Sequence, residues 1–308
     1  MKKLTVGLVQ QSCTADRNAN IEKSAAGIRK AVSKGAELIV LQELHLGPYF
    51  CQTEDPAYFD LAEPIPGPAT EAFGALAREL SVVIVASVFE RRAAGLYHNT
   101  ALVLEKDGSI AGKYRKMHIP DDPGYYEKYY FTPGDLGFHP IASSVGRLGV
   151  LVCWDQWYPE AARLMALSGA ELLLYPTAIG WGPGESEDER KLMLDAWITI
   201  LRSNAIANGL PVICANRAGF EPASGSAGHG QVFWGNSFII GPQGEFMATA
   251  GHEADEVLTA QIDMARTEVV RRNWPFLRDR RIDAYADLLL LYRDQRTTHY
   301  DDKNSAPE

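Results

Sequence analysis

The sequence predicts an α/β protein in which helices pack outside a mixed system of β-strands. In the first half of the chain, runs of aliphatic and β-branched residues alternate with segments whose apolar residues recur at helical spacing. In the second half, strand-like runs around "GPQGE" follow one another at hairpin spacing. Because neither a linker nor an internal repeat is evident, we expect one large domain over residues 1–275. A polar extension over residues 276–308 would be an oligomer contact or partly solvated.

The predicted strands are short runs in which apolar residues are continuous or alternate. They cover residues 4–10, 37–41, 82–90, 100–105, 149–153, 171–175, 212–215, 237–240 and 257–262. Four amphipathic helices are predicted between strands. They cover residues 20–33, 70–80, 158–168 and 187–208. Proline and glycine predict long loops, which in compact domains are often binding segments. These loops cover residues 63–70, 119–140, 180–188 and 219–230.

Composition and charge exclude several classes of partner. The 308 residues include 30 basic and 39 acidic side chains, a formal net charge of −9, and the basic ones are scattered. We therefore expect neither nucleic acid nor an anionic membrane as a partner. The apolar run near the N-terminus breaks at Gln10, which favours a first strand over a signal peptide. No apolar stretch approaches the ~20 residues that span a bilayer.

The four cysteines stand at wide and irregular spacings. This pattern predicts neither a disulfide framework nor a CxxC metal site, so we expect a reducing cytoplasm, no metal and no cofactor. Cys153 ends a predicted strand just before a predicted helix. The helix dipole and free backbone N–H groups there would lower the pKa of the thiol and hold an oxyanion. The alternative, a buried structural thiol, is the commoner fate of a lone cysteine and suits Cys214.

Two further residues stand where catalytic groups are often found. Glu43 directly follows the apolar run "ELIVLQ", and the carboxyl end of a parallel strand is a usual place for ligands. An ordinary solvated carboxylate is an equally good interpretation of Glu43. Lys116, in "YRKMHIP", follows a hairpin-like segment, although most lysines are simply solvated.

Three segments, in chain order, resemble the motifs of the nitrilase superfamily. They are "LIVLQELHLGPYF" around Glu43, "YRKMHIP" around Lys116 and "GVLVCWDQWYPE" around Cys153. The resemblance extends from residue 4 to about residue 262 and includes "YHNTALV", "CANRAG" and "GNSFIIGPQGE". It implies a four-layer αββα sandwich that dimerises through helices and assembles into larger homo-oligomers.

The resemblance also implies the site residues. Glu43, Lys116 and Cys153 would form the catalytic triad of a cysteine-dependent amidohydrolase. Glu127, in "GYYEKYYF", matches a second glutamate that lies beside the lysine and supports catalysis. A catalytically silent binding subunit of the same family is the alternative, but all three triad residues are present.

The residues after Cys153 bear on the substrate. Amidases of the superfamily often have an arginine four residues after the cysteine, and amino-acid carbamoylases use arginines there to bind a carboxylate. This chain has Trp157 at that position. The "CWDQWYPE" form is similar to that of superfamily members that hydrolyse N-carbamoylputrescine to putrescine, carbon dioxide and ammonia in the agmatine route to polyamines. The alternative substrates are N-carbamoyl-β-alanine and ω-amides.

A substrate of this kind ends in an ammonium group. Ammonium groups bind carboxylates and aromatic faces, which the predicted loops contain in abundance. From these we select Tyr49, Trp154 and Glu185 as substrate-binding residues.

Overall fold

Two six-stranded sheets pack face to face at the centre of the fold. The computed structural model describes residues 3–182, 184–223 and 229–293. The strands of the first sheet are β1 (Lys3–Gln10), β2 (Leu38–Leu41), β3 (Val83–Ala93), β4 (Leu96–Leu104), β5 (Ile110–Arg115) and β15 (Glu256–Asp263). Those of the second are β6 (Ile141–Ser143), β7 (Gly146–Val150), β8 (Leu172–Thr177), β10 (Val212–Asn216), β13 (Phe238–Ile240) and β14 (Phe246–Thr249).

The strand orders are β15-β1-β2-β3-β4-β5 and β14-β13-β10-β8-β7-β6. In both sheets the central strands run parallel and the outer pairs antiparallel. A third, three-stranded sheet has the order β11-β12-β9 and consists of β9 (Gly180–Trp181), β11 (Ala218–Pro222) and β12 (Gly230–Trp234).

Helices cover the outer faces of the two large sheets. The helices of the described residues are α1 (Arg17–Ser33), α2 (Pro68–Leu80), α3 (Glu127–Tyr130), α4 (Pro159–Leu167), α5 (Glu187–Asn208) and α6 (Arg266–Asn273). Helices α1 and α2 pack on the first sheet, and α4 and α5 on the second. The layers therefore follow the order αββα, which confirms the predicted sandwich.

Strand β2 shows how the sequence produces these layers. Leu38 and Val40 point into the core between the two sheets, while Ile39 and Leu41 point toward the helices. Side chains alternate between the two faces of a strand, so both faces of β2 must be apolar. This explains why the run is continuously hydrophobic.

The predicted helices are found, and their ends have local causes. Helix α1 begins earlier than predicted because the Asp16 carboxylate accepts from the N–H groups of Asn18 and Ala19. Helix α5 has the predicted bounds, with Ser186 as its N-terminal cap. Gly209 ends it at φ 59°, a left-handed conformation that glycine adopts without strain.

Four local predictions are wrong. The predicted loops at residues 119–140 and 180–188 contain α3 and β9, and residue 183 lies outside the described residues. The predicted loop at residues 219–230 contains most of β11 and the start of β12, while its residues 224–228 lie outside the described residues. The predicted strand at residues 149–153 ends at Val150, and Cys153 begins a short 3₁₀ turn, Cys153–Trp157.

The C-terminal extension is described only to residue 293. It contains two short 3₁₀ turns, Ile282–Ala284 and Ala286–Leu289, and the leucines at positions 288–291 are exposed. Residues 294–308 of the predicted extension lie outside the described residues. Within the described ranges, none of the helices is both long and apolar enough to cross a bilayer.

Candidate active site

The ends of three strands carry the candidate catalytic residues. Glu43 follows β2, Lys116 follows β5 and Cys153 follows β7. Since β2 and β5 belong to one sheet and β7 to the other, the packing of the two sheets brings these strand ends together. Residues far apart in the sequence thereby form one buried cluster.

Lys116 lies between two carboxylates. Its Nζ is 2.9 Å from Glu43 Oε1 and 2.6 Å from Glu127 Oε2, and all three side chains are fully buried. Asn99 Nδ2 donates to Glu43 Oε1 at 2.6 Å, and the Tyr49 hydroxyl donates to Glu127 Oε1 at 2.6 Å. The second oxygen of Glu43, Oε2, has no hydrogen-bond partner among the described residues. That oxygen is free to accept a proton.

The buried charges shift one another's pKa values. Burial raises the pKa of Glu127 to about 7, although the Lys116 ammonium opposes this shift. Burial disfavours the charge on Lys116, but Glu127 and Glu43 raise its pKa well above the ordinary value. The lysine is therefore a fixed cation, and the site can retain a proton on a carboxyl group near neutral pH.

Cys153 reaches the cluster from a strained turn. Its φ is 44°, in the left-handed region that residues with a side chain rarely adopt. The residue is only 4% exposed, and its Sγ contacts the Ala178 carbonyl oxygen at 3.8 Å.

The expectation of a lowered pKa for Cys153 is wrong. Burial, followed by the charge of Glu43, raises the pKa of the thiol well above its usual value, with Lys116 opposing the shift. The 3₁₀ turn separates Cys153 from α4, which begins only at Pro159. The resting group is a thiol, so it needs a base to become a nucleophile.

Asp155 connects the 3₁₀ turn Cys153–Trp157 to the end of β5 and the segment that follows it. Its carboxylate accepts from the backbone N–H of Val152 at 3.0 Å and from the Tyr114 hydroxyl at 2.8 Å. It also accepts from the backbone N–H of His118 at 3.0 Å and contacts that residue's Nδ1 at 2.7 Å. This fully buried carboxylate fixes the two segments relative to each other.

A cavity of about 560 Å³ opens next to Cys153. Trp154 and Glu185 line it as predicted substrate-binding residues, and Gln231 joins them. Glu185 Oε2 and Gln231 Oε1 are buried without a hydrogen-bond partner among the described residues. Tyr49 lies behind Glu127 and is not among the described lining residues. Those residues are Pro120, Asp122, Pro123, Tyr125, Glu127, Cys153, Trp154, Trp157, Ile179, Gly180, Gly182, Glu185, Met193, Ala196, Gln231 and Trp234.

The lining of the cavity combines aromatic and aliphatic residues with a few carboxylates. The described residues that form it include three carboxylates, Asp122, Glu127 and Glu185, and neither an arginine nor a lysine. In the same described ranges, no group of three or more histidine, cysteine, aspartate or glutamate side chains is arranged to hold a metal ion.

Comparison with known proteins identifies the family. The model of the carbon-nitrogen hydrolase family matches residues 5–272. The chain belongs to the nitrilase superfamily of carbon-nitrogen hydrolases. This confirms the resemblance of the three motifs, and the chain is a hydrolase that acts on amide carbon–nitrogen bonds.

Relatives within the carbon-nitrogen hydrolases cover nearly the whole chain. An N-carbamoylputrescine amidase from Solanum lycopersicum is 44% identical over 94% of this chain and 95% of its own length. A citrullinase from Francisella tularensis is 40% identical over 95% of this chain and 100% of its own length. The crystal structure of a carbon-nitrogen hydrolase from Helicobacter pylori has a TM-score of 0.92 at 55% identity, covering 94% of this chain and 100% of that one.

Several site residues were not predicted individually from the sequence. Asn99 lies in the quoted segment "YHNTALV" and Asp155 in "CWDQWYPE", so family resemblance marks their segments but gives them no role. Gln231 belongs to β12, which was predicted as loop at its start. Its position in the cavity depends on the pairing of β12 with β9 and β11.

Replacing Lys116 by methionine should destabilise the protein in a pH-dependent way. At pH 8 the loss of the ammonium leaves two buried carboxyl groups without their cation, which should cost about 3–5 kcal/mol of the free energy of unfolding. At pH 5 the loss should be smaller, because both carboxyl groups can take up protons. Urea unfolding at the two pH values measures this difference.

Lys128→Met is the matched control. Lys128 is exposed on α3, so its replacement should change stability by at most about 0.5 kcal/mol at either pH. Equal stability of Lys116→Met and the wild type at pH 8 would contradict the described charge cluster.

Proposed function

We propose that the protein hydrolyses N-carbamoylputrescine to putrescine, carbon dioxide and ammonia, as in the agmatine route of polyamine biosynthesis. One observation carries the substrate assignment. The cavity next to Cys153 contains the unpartnered carboxylate oxygen of Glu185, while its described lining has no cationic side chain. A cavity of this charge favours a carbamoyl compound that ends in an ammonium group over one that ends in a carboxylate.

In the first half of the reaction, Glu43 acts as the base. Its free Oε2 takes the proton of the Cys153 thiol, and the sulfur attacks the carbamoyl carbon. The Lys116 ammonium and the backbone N–H of Trp154 stabilise the negative charge that develops on the carbamoyl oxygen. The carbon–nitrogen bond to the terminal amide breaks, Glu43 returns the proton to the leaving group, and ammonia departs. The product is a thioester on Cys153.

In the second half, Glu43 deprotonates a water molecule that attacks the thioester carbon. The carbon–sulfur bond breaks, and the proton from Glu43 restores the thiol. The released carbamate then loses carbon dioxide to give putrescine. Glu127 supports both halves because it binds the Lys116 ammonium at 2.6 Å while Glu43 binds it at 2.9 Å.

Two polar lining residues of the cavity would bind the ammonium. Glu185 Oε2 and Gln231 Oε1 are two hydrogen-bond acceptors without partners among the described residues. The aromatic face of Trp154 adds a surface that attracts a cation. The hydroxyl of Tyr49 donates to Glu127. This position favours a role for Tyr49 in orienting Glu127, and not the direct contact with substrate that the sequence predicted.

The relatives support two related substrates. The match with the tomato N-carbamoylputrescine amidase favours a urea with a simple ammonium tail. The match with the citrullinase favours the same ureido group on an amino acid, which adds a carboxylate. The acidic and aromatic lining favours the first, because a buried carboxylate needs a cationic partner. The alternatives N-carbamoyl-β-alanine and ω-amides with an acidic tail are disfavoured for the same reason.

Glu185→Gln should weaken binding of the charged substrate specifically. We expect KM for N-carbamoylputrescine to rise at least about tenfold, since a neutral amide attracts an ammonium less than a carboxylate does. Pentylurea has a methyl group in place of the ammonium, and its kcat/KM should change less than about threefold. Ammonia release measures both.

Two further variants control this experiment. Glu187→Gln removes an exposed glutamate two positions away, paired with Lys191, and should leave both substrates unaffected. Cys153→Ala should abolish ammonia release from all substrates. A wild-type preference for citrulline or N-carbamoyl-β-alanine would overturn the substrate assignment.

We also propose that the protein forms a homodimer or a larger homo-oligomer, with the extension after residue 275 near the contact. Leu164 and Leu167 on α4 are 44% and 49% exposed. The leucines of the extension, at positions 288–291, are also exposed. The double variant Leu164→Asp, Leu167→Asp should reduce the mass of the assembly measured by light scattering. Leu61→Asp is the control, since Leu61 is 46% exposed in the turn Pro56–Leu61, and it should leave that mass unchanged. A monomeric wild type would contradict the proposal.

A further inference from the structure

Arg217 is a fully buried arginine that holds the chain segment carrying Glu43. It follows β10 directly. Its Nη2 donates to the backbone carbonyls of Glu43 at 3.1 Å and Leu44 at 2.7 Å, and its Nη1 donates to the carbonyl of Gly47 at 2.9 Å. The planar guanidinium thus binds three carbonyl groups within five residues of chain.

Glu221 pairs with Arg217 and extends this contact to the other carboxylate of the site. Arg217 Nη1 is 2.6 Å from Glu221 Oε1, and Glu221 Oε2 accepts from the backbone N–H of Tyr49 at 2.6 Å. The hydroxyl of Tyr49 in turn donates to Glu127 at 2.6 Å. One ion pair therefore contacts both the backbone of Glu43 and the residue that holds Glu127.

The held segment has an unfavourable backbone conformation. Leu44 has φ 48°, in the left-handed region, and it immediately follows Glu43. Such a conformation in a non-glycine residue costs about 1–3 kcal/mol and persists only where surrounding contacts maintain it. Arg217 supplies such contacts, because it donates hydrogen bonds to the Glu43 carbonyl before the Leu44 Cα and to the Leu44 carbonyl after it.

We propose that the Arg217–Glu221 ion pair is the positioning device of the catalytic base: it holds the chain segment of Glu43 so that the carboxylate is fixed near Cys153. The inference rests on the proposed role of Glu43 as base. The two residues touch no substrate, so they are positioning residues and their effect must be read through Glu43.

The charges around these groups determine the sign of the expected effects. Arg217 interacts electrostatically with Glu43 as well as with its ion-pair partner. Loss of the Arg217 cation should make it harder for the buried site to lose a proton, and loss of the Glu221 anion should make it easier. The titratable and charged groups that face Arg217 or Glu43 are Cys13, His45, Tyr49, Cys51, Lys116, Glu127, Cys153 and Glu221.

The test measures how fast iodoacetamide alkylates Cys153 as a function of pH, with the modified residue located by peptide mass. This rate should rise with pH as the Cys153 thiol loses its proton, whatever the natural substrate is. In Arg217→Met the rise should move to higher pH by about one unit, and in Glu221→Gln it should move to lower pH. A purely structural role would lower the rate without shifts of opposite sign.

Two more variants separate charge from geometry. Arg217→Lys keeps the cation, so the pH at which the alkylation rate rises should stay near that of the wild type. A lysine cannot bond to three carbonyls, so the alkylation rate at high pH should fall at least about tenfold. The double variant Arg217→Met, Glu221→Gln restores charge balance without the carbonyl bonds. It should behave like Arg217→Lys and remain informative if Arg217→Met alone unfolds.

Controls distinguish failure of the inference from failure of the proposed function. Cys214 is fully buried and stays unreactive only in folded protein, so its alkylation reports unfolding. Arg271→Gln removes an arginine bonded to the Asn208 carbonyl away from the site and should change nothing. A pH profile that Glu43→Gln leaves unchanged overturns the role of Glu43 itself. A profile that responds to Glu43→Gln but not to the Arg217 and Glu221 variants overturns only the inference.

Discussion

The contact of one buried ammonium with two carboxylates is the interaction on which the site depends. Lys116 Nζ lies 2.9 Å from Glu43 and 2.6 Å from Glu127, and none of the three side chains is exposed. Two carboxylates this close to each other repel and lose their hydration, so they remain together only around a cation. The rest of the fold supplies the strand ends that carry Glu43 and Lys116 and the short helix α3 that carries Glu127, and it buries all three side chains.

Burial determines which chemistry this contact permits. The pKa of the Cys153 thiol is raised by burial and by Glu43, so the sulfur keeps its proton in the resting protein. A thiolate forms only when a base accepts that proton, and Glu43 has a carboxylate oxygen without another partner among the described residues. In the proposed mechanism, activation of the nucleophile therefore depends on Glu43 as the base, while Lys116 stays charged to stabilise the oxyanion.

The sequence pattern predicted the layers of the fold better than it predicted the site. Continuous apolar runs such as residues 38–41 identify strands covered on both faces, and α5 has the predicted bounds. The strands β11 and β12 were missed in part because glycine, proline and serine dominate residues 219–230. The raised pKa of Cys153 could not be predicted from its neighbours in sequence, because it is caused by burial in the folded protein and by the charges of Glu43 and Glu127, with Lys116 opposing the shift. Individually, Glu43 and Lys116 had ordinary alternatives, and only the order of the three motifs favoured a catalytic site.

The central claim is that Cys153 forms a covalent carbamoyl intermediate. The most direct measurement is the intact mass of the protein, quenched in acid during turnover of a slow N-carbamoylamine substrate, followed by peptide mapping of any adduct. We expect a carbamoyl adduct on Cys153 alone that decays as the substrate is consumed. Turnover with Cys153 unmodified throughout, or an adduct on Cys13, Cys51 or Cys214 instead, would contradict it.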